Sequence, residues 1–254
     1  MTGLLDGVAL RLVPTFGPGP LPAPVPPVPP VPPWPSGRTR ATGTGSGTVA
    51  ERLSAHLASS LRALWSMTPT LDRIEGWGAE LRHRLDAGHR LLVAGNGGSA
   101  ALAQHLVGEL VGRFDRERPA YSALALSAET VGLTAIGNDY GYDHTFARQV
   151  EAHGREGDVF LALSTSGRSR NLLTATAAAR ERGLRCWAMT GPGPNPLTAR
   201  ADDALTVAAG ATACVQDVQQ VVVHLLCLAF ELAGPDAGRG PDGLGAEGDG
   251  PCPG

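Results

Sequence analysis

The chain has 254 residues, and its two ends cannot build a core: Pro fills 12 of the first 36 positions, and the last 21 residues hold 8 Gly and 4 Pro. The formal net charge is −3, which the C-terminal stretch supplies by itself (Asp236, Asp242, Glu247 and Asp249 against Arg239). The middle is therefore near neutral, without the basic excess that nucleic acid or an anionic membrane would attract. All 21 basic residues are Arg, and the absence of Lys excludes a pyridoxal-phosphate enzyme, a Schiff-base aldolase and a Walker-type phosphate loop.

In chain order, residues 1–48 read as a proline-rich, disordered leader and linker. Pro24 to Pro35 is forced into extended polyproline II because its amides cannot donate. Residues 49–233 read as one domain, large enough to bury a sizeable apolar interior. Leu53, Leu57, Leu61 and Leu64 recur at helical spacing, as do Leu71, Ile74, Leu81 and Leu85 after Pro69, which predicts two helices, the second ending near Gly88. Short apolar runs then alternate with helical stretches. The expected strands are Arg90 to Ala94, Ser122 to Leu126, Val159 to Leu163, Arg185 to Met189 and Ala204 to Val207. The expected helices are Ser99 to Val111, Glu129 to Ile136, Ser169 to Arg182 and Val215 to Leu232. Such alternation means a mostly parallel sheet covered on both faces. Residues 234–254 read as a disordered Gly/Pro-rich acidic tail.

The four cysteines are scattered with no C-x-x-C pair, so reduced thiols are expected rather than a disulfide framework or zinc knuckle. No signal-peptide pattern opens the chain, and no uninterrupted apolar run nears the roughly 20 residues a bilayer span needs. The expectation is a cytoplasmic protein without nucleic-acid or membrane partners.

Ligands of such sheets bind beyond the carboxyl ends of the strands, and two loops there are unusual. Gly95-Asn96-Gly97-Gly98-Ser99 leaves its backbone uncovered at a helix start, as an anion site requires. It also satisfies G-x-G-x-x-A, a dinucleotide fingerprint, but the second strand ends without the acid that would bind a ribose. Ser164-Thr165-Ser166-Gly167-Arg168-Ser169 brings four hydroxyls to another helix start, more than an N-cap needs; the residue types suit a phosphate monoester held without lysine. His105 and Glu109 share a helix face, which suits either a ligand site or a plain surface contact. Gln216 and His224 stand in the apolar last helix, where a buried structural His is the alternative. Asn138 and Asp139 sit between two helical segments. His56, His83, His89, His144 and His153 show no metal-ligand spacing.

These segments, together with Gly154 to Asp158, resemble the sedoheptulose 7-phosphate (phosphoheptose) isomerases of the sugar isomerase (SIS) domain family, over about Glu51 to Leu232. The resemblance implies a flavodoxin-like three-layer α/β/α fold with a five-stranded sheet. It also implies a homotetramer with active sites between subunits, and conversion of sedoheptulose 7-phosphate to D-glycero-D-manno-heptose 7-phosphate through an enediol. Positions matching Asn96, Gly97, Gly98, Asn138, Asp139, Ser164, Thr165, Ser166 and Ser169 would hold the sugar phosphate, with Glu109 and Gln216 also at the substrate. His105, Glu109, Gln216 and His224 would bind one Zn2+ per subunit, with Glu109 and His224 in acid/base roles. On an unbroken helix Gln216 and His224 stand ~12 Å apart, so both reach one ion only across a distorted helix start or between subunits. Gln219 and Ala213 depart from the family's His and Asp. The alternative within the family is a non-catalytic sugar-phosphate sensor or an adaptor for a replication initiator.

Overall fold

A computed structural model describes residues 47–234; apart from residues 47, 48 and 234, the segments read as leader (1–48) and tail (234–254) lie outside the described residues. α1 (Val49–Trp65) starts on a capping box. The Thr48 hydroxyl accepts from the Glu51 N–H while the Glu51 carboxylate accepts from the Thr48 N–H. α2 (Leu71–Asp86) follows, and the chain turns at Gly88 with φ +87° into β1 (Leu91–Gly95). Next come α3 (Gly98–Val111), β2 (Ala123–Ala125), α4 (Thr130–Tyr140), α5 (Ala147–His153) and β3 (Val159–Ser164). α6 (Arg170–Glu181), β4 (Arg185–Thr190), β5 (Asp203–Thr206) and α7 (Thr212–Leu232) complete the domain.

All five strands run parallel in the order β2-β1-β3-β4-β5, which is the flavodoxin-like expectation. Because both faces of the central strands β1, β3 and β4 are covered, these read as largely apolar runs while their side chains alternate between two cores. Leu91, Val93, Leu161, Leu163, Trp187 and Met189 pack with α2, α3 and α7. Leu92, Ala94, Phe160, Ala162, Cys186 and Ala188 pack with α5 and α6. Across the first core Trp77 stacks on Trp187 with centroids 4.5 Å apart, and the Trp77 indole donates to Asp203.

β1 and β3 are neighbours, yet α3 leaves β1 toward one core and α6 leaves β3 toward the other. The glycine and hydroxyl loops thus flank the crevice where the strand order reverses, the place such sheets keep for ligands.

Three sequence expectations change. α5 was not foreseen: it is short, and only Ala147 and Val150 bury an apolar side chain from it. α4 continues to Tyr140, so Asn138 and Asp139 fall on its last turn rather than between helices. α7 reaches a mean hydropathy of 1.5 and is long enough by length and composition to cross a membrane; half of that window is buried, which marks it as a core helix.

Candidate functional site

In the glycine loop Gly97 takes φ +55°, a backbone region costly for side chains, and starts α3. A Cβ on Gly98 would overlap the end of the Gln216 side chain, so the carboxamide rests in the space that this glycine leaves. Asn96 and Asn171 exchange amide hydrogen bonds of 3.0 and 2.9 Å, tying the glycine loop to the first turn of α6, and the Tyr142 hydroxyl donates to the Asn96 oxygen at 2.7 Å.

The second loop leaves β3 at Ser164, which is 4% exposed. Ser164 Oγ accepts from the Gly167 N–H at 3.1 Å and Ser166 Oγ from the Arg168 N–H at 3.2 Å. A hydroxyl whose oxygen accepts from backbone keeps its proton for an outside acceptor. Ser169 is the N-cap of α6, yet its side chain caps nothing there and stands 3.5 Å from Ser164 Oγ. The ordinary capping alternative is therefore not what its hydroxyl does.

α3 and α7 pack side by side and hold two pairs in register: Gln216 against Gly98, and His224 against His105. The His105 and His224 Nε2 atoms are 2.8 Å apart, Glu109 Oε1 is 3.5 Å from the same His105 nitrogen, and the Gln220 amide nitrogen is 3.0 Å from His224 Nε2. The three metal-ligating atoms of His105, Glu109 and His224 all lie within 4.8 Å of one another. His224 is exposed, so the buried structural histidine is ruled out. Two imidazole nitrogens and a carboxylate converging on one point form a donor set that fits a zinc-like ion with an open position. Nearby Cys227 is pushed up to about 12 by burial and then by the charge of Glu109, so its thiol stays protonated.

The expected sites do not all meet. Gln216 and His224 lie in one uninterrupted helix, so within a subunit Gln216 serves the glycine loop and does not join the other three ligands. Asn138 donates to Asp139 on an exposed turn. Gln219 is fully buried and donates to the Met189 carbonyl, so this departure from the family lies beneath the site rather than in it. Sequence reasoning missed Gln220, Asn171 and Tyr142; Gln220 stood one turn before His224, and only the fold brings the other two to Asn96.

Fold and loops together define a sugar isomerase domain: the family model described as SIS domain matches residues 57–191. A phosphoheptose isomerase of Streptomyces coelicolor is 59% identical over 157 residues, covering 62% of this chain and 68% of its own. The solved phosphoheptose isomerase of Neisseria gonorrhoeae is 39% identical with a TM-score of 0.67, covering 72% of this chain and 99% of that one. That of Francisella tularensis is 33% identical with a TM-score of 0.69, over 72% and 98%. The chain belongs to the phosphoheptose isomerase family of SIS-domain proteins.

Proposed function

We propose that this chain interconverts sedoheptulose 7-phosphate and D-glycero-D-manno-heptose 7-phosphate. The observation that carries this reading is the meeting of His105, Glu109 and His224 on the α3–α7 pair, whose N-terminal ends meet at the glycine loop, where Gln216 lies against Gly98. Ketose–aldose exchange moves a proton between neighbouring carbons through an enediol and needs a base at carbon, a proton carrier at oxygen and stabilisation of oxyanion charge.

The phosphate is held by the Asn96–Gly98 loop and by the hydroxyls of Ser164, Thr165, Ser166 and Ser169, with Gln216 reaching the sugar beside Gly98. Glu109 takes and returns the carbon-bound proton. His224 serves the oxygens, with Gln220 and His105 beside its ring. Asn138 and Asp139, on the last turn of α4, add polar contacts to the substrate. One Zn2+ per subunit, held by His105, Glu109 and His224, would polarise the substrate carbonyl when bound. As a metal ligand Gln216 would have to serve a neighbouring subunit.

The homotetramer reading is supported by an apolar stripe on α1: Val49, Leu53, Leu57, Leu61 and Trp65 are each more than half exposed. A cytoplasmic setting suits three buried free cysteines. A sensor or adaptor would need the phosphate loops but not the three converging ligands, which favours the enzyme. A coupled assay of the purified protein with sedoheptulose 7-phosphate tests the reading; absence of turnover in zinc-loaded protein overturns it.

A further inference from the structure

A second convergence of ligating side chains lies away from the site just described. His56 and Ser60 share one face of α1, four residues apart. Cys214 and Asp217 share one face of α7, three apart, and the two faces meet. Cys214 Sγ is 3.5 Å from His56 Nδ1, His56 Nε2 is 3.0 Å from Asp217 Oδ2, and the Ser60 hydroxyl donates to Asp217 at 2.7 Å. One ligating atom from each of His56, Cys214 and Asp217 falls within 4.8 Å of the others.

We propose that this cluster is a second metal site, taking Zn2+ through the Cys214 thiolate, a His56 ring nitrogen and the Asp217 carboxylate. The 3.5 Å between sulfur and nitrogen matches the edge of a tetrahedron with bonds of ~2.3 Å to sulfur and ~2.1 Å to nitrogen. A thiolate with an imidazole selects zinc over the harder cations that carboxylates alone would hold. Cys214 is 1% exposed and fixed; the sulfur faces His56 Nδ1 and the carboxylate faces Nε2, so the 46% and 49% exposed His56 and Asp217 side chains turn to bring all three ligands onto one ion. Binding releases the thiol proton to solvent. Ser60 steadies the carboxylate from outside, as partners of metal ligands do. The ion staples α1 to the first two turns of α7, on either side of Gln216 in the chain, and so holds the glutamine against the glycine loop.

The test is metal content of the full chain after stripping and reloading with Zn2+, read beside the absorption of the Co2+-loaded protein. The wild type should retain about two equivalents per chain, and both the H105A/H224A double variant and Cys214→Ser about one. A sulfur-to-cobalt charge-transfer band should persist in H105A/H224A and in Cys227→Ser and vanish in Cys214→Ser. His56→Gln, a change on the surface, should lose the same equivalent and the same band without touching the buried thiol. The proposal is overturned if the wild type holds one equivalent that H105A/H224A abolishes. It is equally overturned if the band survives in Cys214→Ser and His56→Gln.

Discussion

The loops at the sheet end and the helix pair beside them hold their chemistry in opposite ways. The loops work through backbone and hydroxyls: Gly167 and Arg168 N–H groups are already engaged by Ser164 and Ser166, and Asn96 is locked to Asn171 and Tyr142. The α3–α7 pair works through the ionisable side chains of His105, Glu109 and His224, which meet because the two helices pack side by side. Binding and proton transfer should therefore be separable by mutation, the loops governing affinity and the helix pair turnover.

The largest effect should come from Glu109→Gln. It removes the proposed carbon base while leaving both loops intact, and turnover should fall roughly 10²- to 10⁴-fold with phosphate binding preserved, measured by the coupled assay and calorimetry. Ser169→Ala should do the reverse. It removes a proposed donor to the charged phosphate, worth about 1.5–3 kcal/mol or on the order of ten- to a hundredfold in KM, while stability stays within about 0.5 kcal/mol because the hydroxyl caps nothing. Gly98→Ala sharpens the contrast, since the new methyl displaces the far end of the Gln216 side chain. KM should rise several-fold, roughly 1 kcal/mol, with zinc content unchanged; a loss of zinc would place Gln216 at the ion after all.

The smallest effect lies far from the site. Burial pushes the Asp86 carboxyl up, but the hydrogen bonds from Arg82 and Tyr121 outweigh it and hold the group below its usual range. Its stabilising contribution is thus present above the ordinary carboxylate pKa and lost as pH falls through the lowered one. Asp86→Asn should cost a few tenths to about 1 kcal/mol near neutral pH, because the side chain is half exposed. That difference should vanish in denaturation curves taken in acid.

What the sequence discloses follows from the range of the interactions. The glycine and hydroxyl loops were legible because turn chemistry is local, and the central strands because burial on both faces leaves largely apolar runs. The His105–Glu109 pair was legible from helical spacing alone. Its meeting with His224 could not be read from residues 119 positions apart without the family resemblance. The Asn96–Asn171 tie and the His56–Asp217 contact were hidden for the same reason: each depends on which helix packs on which. α5 escaped because seven residues with two buried apolar side chains give too little periodicity.

The central claim, that Glu109 moves the carbon-bound proton of a sugar phosphate gripped by the two loops, is tested most directly in D2O. Wild-type protein and Glu109→Gln are each mixed with sedoheptulose 7-phosphate, and deuterium entering the carbons beside the carbonyl is followed by NMR. The wild type should exchange and isomerise, and the variant should bind the ester yet leave those carbons unlabelled and the ketose unchanged. A variant that labels and converts the sugar at the wild-type rate contradicts the account.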